Sequence, residues 1–236
     1  MKAVLLSGGY GKRLKPLTES LPKPLLEVAG KPIIVWQIEW LKKHGIDEFI
    51  VCVGYLREKI IETLGSGHRL GVKIGYSVED EPLGTGGALK NAEHLLKSDR
   101  VFIVVNGDVL TTLNPLKLVE NLNSSIACMA LTRLPSPYGI VEFDNETRLV
   151  KRFEEKPRLP NYINAGVYAF TADVLSYLPE NGDLEKQTFP KLVEKKSLMA
   201  VLYEEDDWIS IDSHKDLEEA KRVVEKFSLL KEASQP

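Results

Sequence analysis

The apolar run Ala3-Val4-Leu5-Leu6, ending in Ser7-Gly8-Gly9-Tyr10-Gly11, constrains this chain more than any other stretch. A continuous apolar run of this kind reads as a parallel strand covered on both faces, so the glycines begin where a buried strand emerges at a sheet edge. The segment LSGGYGKRLKPLTESLPKPLL, Leu6 to Leu26, then carries Gly8, Gly9 and Gly11, the cations Lys12, Arg13, Lys15 and Lys23, and one acid, Glu19. Glycines let a backbone approach a ligand closely, and exposed amides in such a turn form a nest for phosphate oxygens. Three glycines alone read best as tight turns before a solvated basic surface. With Pro22 and Pro24 fixing the chain around Lys23, and four cations in the same short span, the segment reads as an anion site.

The remaining chain supplies a sheet to carry this loop. A helix starting at Pro32 and stopping at Gly45 presents Ile33, Ile34, Trp36, Ile38, Trp40 and Leu41. EFIVCVG, VKIGYSV and VFIVVN read as strands, with a short helix at about 56–64 and another at about 88–96 between them. Strands alternating with helices imply an α/β fold on a mainly parallel sheet with right-handed crossovers. A helix at 114–121 and the strand IACMALT follow, after which YGIVEFDNETRLVKRFEEKP alternates around DNET as an antiparallel hairpin. YINAGVYAF, LMAVLYE and DWISID are further strands, with helices at about 172–178, 187–194 and 215–230. One domain over 1–230 is expected, with a nucleotide-binding lobe at about 1–134, a lobe closing over it at about 135–230, and a tail at 231–236 that frays.

Composition removes several function classes. A net charge of -3 and a pI near 5.9, with no block of like charges, give no reason to expect nucleic acid or an anionic membrane as partner. No apolar run approaches the roughly 20 residues that span a bilayer, and MKAVLLSGGYG lacks the layout of a secretory signal, so a cytoplasmic protein is expected. Cys52 and Cys128 sit in apolar strand-like runs and read as small buried hydrophobes.

Two further segments face the glycine loop by position. In EDEPLGTGGALKNAEHLL, Gly84, Gly86 and Gly87 open into a helix, beside Thr85. Glu79, Asp80 and Glu81 argue against a triphosphate there; a neutral base on glycine backbone and a plain helix start fit equally well. Val101 to Val105 run into Asn106-Gly107-Asp108, and ligands of open α/β sheets bind beyond the carboxyl ends of strands. Asp108 therefore shares a crevice with the glycine loop, where a carboxylate most naturally holds Mg²⁺ together with substrate phosphates.

Two common phosphate motifs fail. A Walker A loop requires Gly-Lys-Ser/Thr, and Gly11-Lys12 is followed by Arg13; a dinucleotide fingerprint requires a glycine where Leu14 stands. Instead, GGYGKRLKPLTESLPKPL resembles the signature of the sugar-1-phosphate nucleotidyltransferases, the nucleotide-sugar pyrophosphorylases. EPLGTGGAL resembles the base-binding segment of their mannose-1-phosphate guanylyltransferase-like branch, VNGD the metal-binding aspartate, and EEKP with NAGVYAF the sugar-phosphate and sugar segments.

This resemblance implies a Rossmann-like three-layer α/β/α architecture on a mixed, mainly parallel sheet of the nucleotide-diphospho-sugar transferase type, with the hairpin inserted. It implies nucleotidyl transfer from a nucleoside triphosphate to a sugar-1-phosphate, giving a nucleotide sugar and pyrophosphate. Leu6, Gly8, Gly9, Gly11, Lys12, Arg13, Gly84, Thr85, Gly86 and Gly87 would hold the nucleotide. Within that set Arg13 would hold the β and γ phosphates; Lys23 would act at the α phosphate, and Asp108 would hold the metal. Asn106, Gly139, Glu155, Lys156, Asn164 and Gly166 would hold the sugar phosphate. GTP with mannose-1-phosphate is the pair expected first; UTP- or dTTP-dependent glucose-1-phosphate or heptose-1-phosphate transfer are alternatives. A non-catalytic nucleotide-sugar-binding regulatory subunit is the alternative of another class, and the chain is expected as a monomer or homo-oligomer. A glycosyltransferase would want Asp-x-Asp after the fourth strand, and Asn106-Gly107-Asp108 lacks the first acid.

The resemblance breaks at one place. Where the family commonly has the acid of Trp-x-Asp, this chain reads Trp208-Ile209-Ser210, with Asp212 two residues on. Residues two apart share a strand face, so Asp212 is expected as the second metal ligand. A metal held mainly by Asp108 and substrate, or Asp212 as the N-cap of the closing helix, are the alternatives.

Overall fold

The structure, a computed structural model, describes residues 1–204 and 207–232, with side chains through 226. Along the chain run β1 (Lys2–Ser7), α1 (Leu17–Ser20), β2 (Glu27–Val28), β3 (Lys31–Pro32), α2 (Ile33–Lys43), β4 (Glu48–Val53), α3 (Arg57–Leu64), β5 (Lys73–Val78), α4 (Gly84–Asn91) and α5 (Glu93–Leu96). They continue as β6 (Val101–Asn106), β7 (Val109–Thr111), α6 (Leu116–Glu120), β8 (Ala127–Pro135), β9 (Ile140–Phe143), β10 (Val150–Glu154), β11 (Arg158–Thr171), α7 (Phe189–Glu194), β12 (Leu198–Leu202), β13 (Trp208–Ser210) and α8 (His214–Glu232). Of the tail expected to fray, 233–236 lie outside the described residues.

Seven strands share one sheet in the order β12-β8-β11-β6-β1-β4-β5. β6, β1, β4 and β5 are parallel neighbours, as are β12 and β8, while β11 runs antiparallel between β6 and β8. Strands buried on both faces split their side chains between two cores. Ile103 and Val105 join the cluster that packs with Ile34, Ile38 and Leu41 of α2, and with Val223 and Val224 of α8. Phe102 and Val104 join the other, with Leu89 of α4, Leu96 of α5 and Leu192 of α7. The mixed, mainly parallel sheet between two helical layers is the expected architecture, and β9 and β10 form the expected antiparallel hairpin around an Asp144 turn.

Element boundaries shift where tertiary contacts intervene. The helix expected from Ala88 begins at Gly84, because the Pro179–Asp183 loop lies against its first turn. Gly182 O accepts from the amides of both Gly86 and Gly87, at 2.9 and 3.1 Å. A Cβ at Gly84, Gly86 or Gly87 would lie 2.6–2.8 Å from that loop. The helices expected near 172–178 and 187–194 become a 3₁₀ turn at Ala172–Tyr177 and a π turn at Leu184–Thr188 leading into α7.

Candidate active site

The carboxyl ends of β1 and β6 open into a cleft of about 400 Å³. Leu6, Gly8, Gly9, Gly11, Lys12, Arg13, Lys23, Gly84, Thr85, Asn106, Asp108 and Asp212 all line it. Most of the residues singled out in the sequence therefore converge on one place. Gly11 has φ +60, and a Cβ there would meet the Thr18 and Lys23 side chains at 2.9 and 3.1 Å, so the glycine permits both the turn and its packing. Thr18 Oγ1 donates to Gly11 O at 2.9 Å and closes the loop.

At the cleft's mouth two carboxylates meet on one cation. Lys23 Nζ donates to Asp108 Oδ2 and to Asp212 Oδ1, each at 2.9 Å, with its side chain only 12% exposed. Arg13 Nη2 approaches Asp212 Oδ1 at 3.0 Å from a largely exposed position. Pro22 precedes the 3₁₀ turn Lys23–Leu25, whose first bond runs from Leu25 N to Pro22 O at 2.8 Å. Proline's fixed φ on both sides of Lys23 directs the ammonium inward with little backbone freedom. Burial would raise the Asp212 carboxyl, but the Lys23 hydrogen bond, the charges of Lys23 and Arg13, and Ser210 together hold it below its ordinary range. Its carboxylate is thus ionised wherever the protein is folded near neutral pH.

Asp212 is not the cap of α8. Ser213 takes that role, its Oγ accepting from Asp216 N at 3.3 Å while Asp216 Oδ2 accepts from Ser213 N at 2.7 Å. Asp216 Oδ2 also accepts from Asp212 N at 2.9 Å, which aims the Asp212 side chain towards the cleft rather than the helix. Ser210 Oγ donates to Asp212 Oδ2 at 3.3 Å, so the residue standing at the family's acid position supports the acid two residues on.

Asp108 sits on a two-residue turn between β6 and β7. Gly107 N donates to Leu6 O at 3.0 Å, and a Cβ at Gly107 would fall 2.4 Å from that same oxygen. Gly107→Ala is expected to force the turn away from β1 at a cost of about 1–3 kcal/mol, read as a lower urea midpoint with unchanged slope.

Other sequence candidates lie elsewhere. Gly86 and Gly87 are buried beneath the Pro179–Asp183 loop, and their amides are occupied by Gly182, so they offer no backbone surface to a base. Gly166, with φ +71, lies behind Asn106, where a Cβ would meet Asn106 Nδ2 at 3.0 Å; Asn164 Oδ1 accepts from Gly166 N. Gly139, Glu155 and Lys156 stand at the base of the hairpin, outside the cleft lining. The Lys156 side chain is exposed, 3.7 Å from Glu155, on a residue with φ +48.

Two acids in the cleft carry no motif in the sequence. Glu79 is 7% exposed, lines the cleft and accepts from Leu83 N at 3.1 Å through Oε2, while Oε1 lies against Gly8. Burial pushes its carboxyl above the ordinary range despite that amide bond. The signal was period two along β5: Ser77 is buried, and Glu79 lies on the same face. Asp183 enters the cleft from the loop packed on α4. Nothing local in the sequence indicates that proximity.

A family model described as nucleotidyl transferase matches residues 2–226. The chain belongs to that family. This nucleotidyl transferase is 40% identical over 227 residues to a mannose-1-phosphate guanyltransferase of Saccharomyces cerevisiae, covering 92% of this chain and 62% of that protein. It is 39% identical to a probable mannose-1-phosphate guanylyltransferase 2 of Arabidopsis thaliana, covering 92% of this chain and 63% of that one. It thus spans about three fifths of the length of these curated relatives. Among solved structures, HddC from Yersinia pseudotuberculosis, also solved complexed with GMP-PN, superposes with a TM-score of 0.74 at 28% identity, over 96% of this chain and 99% of HddC.

Proposed function

We propose that this nucleotidyl transferase joins a nucleoside triphosphate, first of all GTP, to a sugar-1-phosphate, first of all mannose-1-phosphate, releasing pyrophosphate. The observation that carries the proposal is the convergence of Lys23, Arg13, Asp108 and Asp212 at the mouth of the glycine loop. A phosphate monoester is already nucleophilic at neutral pH, so the reaction needs no covalent enzyme intermediate. Its oxygen attacks the α phosphorus in line, the bond to the β phosphate breaks, and pyrophosphate departs on the far side. What the protein must supply is position and positive charge for two anions. In this proposal the Gly8–Gly11 amides cradle the polyphosphate, Arg13 holds the β and γ phosphates, and Lys23 stabilises charge developing at the α phosphate. Lys156, exposed at the hairpin base, would receive the sugar phosphate.

Mg²⁺ suits the donor set. The Asp108 and Asp212 carboxylates lie close enough to accept from one ammonium, and Mg²⁺ takes one or two carboxylates plus phosphate oxygens and water. Among the described residues no group of three or more His, Cys, Asp or Glu is placed to hold a metal, so substrate would complete the shell. Asp108 and Asp212 would hold the ion, which would supply positive charge beside the substrate phosphates. Asp212→Ala is expected to raise the Mg²⁺ concentration for half-maximal rate by about tenfold or more, and Ser210→Ala by a few-fold at most. Equal effects of the two in a Mg²⁺ titration would remove Asp212 from the metal site.

Guanine is favoured by Glu79 as well as by the names of the relatives. A buried carboxylate accepts from guanine N1–H and its exocyclic amine together, whereas uracil and thymine set carbonyl oxygens beside their single N–H. A matrix of triphosphates against sugar-1-phosphates, read by pyrophosphate release, tests the whole reading. Release with GTP and mannose-1-phosphate above all other pairs is expected. Mg²⁺-independent binding with no release by any pair would leave the regulatory-subunit alternative in its place.

A further inference from the structure

The turn that carries Asp108 is held from three sides. β1 accepts Gly107 N through Leu6 O at 3.0 Å, and the segment after β13 donates Ile211 N to Asp108 O at 2.9 Å. The third hold comes from α2. Gln37 Nε2 donates to Asn106 O at 2.9 Å and to Val109 O at 2.8 Å, the carbonyls on either side of the Gly107-Asp108 turn.

Gln37 is out of character for its surroundings. It lies on the apolar face of α2, one turn from Ile33 and Leu41, and is 1% exposed. A leucine or methionine would extend that face. The amide is tolerated at a cost, because Oε1 has no hydrogen-bond partner among the described residues, and a buried acceptor without one is unfavourable. Both amide hydrogens, by contrast, are used, and both on this turn.

We infer that Gln37 is a positioning residue for the nucleotidyl transfer: its amide clamps the Asn106–Val109 turn and so sets where the Asp108 carboxylate stands relative to Lys23 and the substrate phosphates. The inference rests on the activity proposed above. Gln37 touches neither Lys23 nor Asp108 side chain in the hydrogen bonds described, and acts through the backbone between them. A displacement of about 1 Å at a reacting group is enough to cost about 100-fold in rate, while the triphosphate is held mainly by the glycine loop and Arg13. The rate constant is therefore the quantity at risk, rather than nucleotide affinity.

Gln37→Met keeps length and apolar volume and removes both donors. Gln37→Glu keeps the shape and turns an acceptor towards two carbonyls. The comparison variant is Trp40→Phe, which deletes another buried bond of α2, Trp40 Nε1 to Leu113 O at 2.9 Å, away from the Asp108 turn. Gln37→Met is expected to lower kcat by about 10- to 100-fold with the KM for GTP within about threefold of wild type. Gln37→Glu should lower it at least as far. Trp40→Phe should lower the thermal midpoint and leave kcat within about twofold. Hydrogen exchange supplies a readout that needs no turnover: amides of 106–109 should exchange faster in both Gln37 variants and at the wild-type rate in Trp40→Phe. Unchanged exchange there in both Gln37 variants overturns the inference whatever the assay shows, as does faster exchange with kcat retained. If Trp40→Phe loses kcat equally, the role is general stability and the inference also falls. A wild-type protein that releases no pyrophosphate overturns the proposed activity instead, and exchange alone then decides whether Gln37 holds the turn.

Discussion

Lys23→Ala and Asp108→Asn are each expected to lower turnover by about 100- to 1,000-fold, the range found when one preorganised electrostatic group is removed from a transition state. Triphosphate binding should change by less than about tenfold. Lys23 is held between Pro22 and Pro24 with its ammonium 2.9 Å from both carboxylates, so its charge is fixed before any substrate arrives. A group fixed in this way needs no reorganisation during the reaction, and its loss is felt where charge develops rather than where the ground state is bound. In the proposed reaction the polyphosphate would retain the Gly8–Gly11 backbone, Lys12 and Arg13. The two substitutions also have opposite electrostatic consequences: Lys23→Ala leaves Asp108 and Asp212 without their shared cation, whereas Asp108→Asn leaves Lys23 paired to Asp212 alone. Single-turnover rates and triphosphate dissociation constants, measured separately, decide the matter. Loss of binding in proportion to loss of rate would mean that these groups hold substrate only.

Glu79→Gln is expected to cut kcat/KM for GTP by about 10- to 100-fold, in line with the ~1–3 kcal/mol attached to a bidentate base contact. Activity with UTP should fall far less or rise, because the glutamine amide can serve a pyrimidine carbonyl. pH gives an independent check. Burial raises the folded-state value of Glu79 above the ordinary 4.5, so the ionised acceptor is complete above the raised value and is lost as pH falls through it. The KM for GTP should accordingly climb in mildly acidic solution, at a pH above 4.5, in the wild type and stay flat in Glu79→Gln. The same linkage works against the fold. A folded state that favours the protonated form gains stability below 4.5 and loses it as pH rises through the folded value, so at pH 7 this carboxylate is a burden. Glu79→Gln should therefore melt at a higher temperature than wild type at neutral pH while losing guanine preference. A variant that keeps its preference for GTP would assign base recognition to other groups.

Local chemistry made most of the cleft legible. The apolar β1 run, the glycines after it and the cations beyond lie within one stretch of chain, and strand ends on an α/β sheet share a crevice by construction. The same logic located Asp108 at the end of β6. Period two along the run DWISID placed Ser210 and Asp212 on one face, and the structure adds that they are hydrogen-bonded to each other and that Ser213, rather than Asp212, caps α8. Less legible was the Gly84–Gly87 segment. Its glycines suggest open backbone for a base, but Gly86 and Gly87 serve to admit the Pro179–Asp183 loop. A glycine signals close approach without saying what approaches.

What the sequence determined by itself is the strand-to-glycine transition, the clustering of charge after it, and the alternation that builds a doubly covered sheet. These follow from periodicity and backbone sterics over a few residues. Tertiary structure alone decided which acids meet Lys23, since Asp108 and Asp212 lie 85 and 189 residues further along the chain. It also brought Gln37 beneath the Asp108 turn, 69 and 72 residues from the carbonyls it clamps, and set Asp183 against Gly84. Such meetings depend on the order in which strands join the sheet and on how α2 and α8 pack across it. That order is settled by burial summed over the whole core, so no short window of sequence contains it.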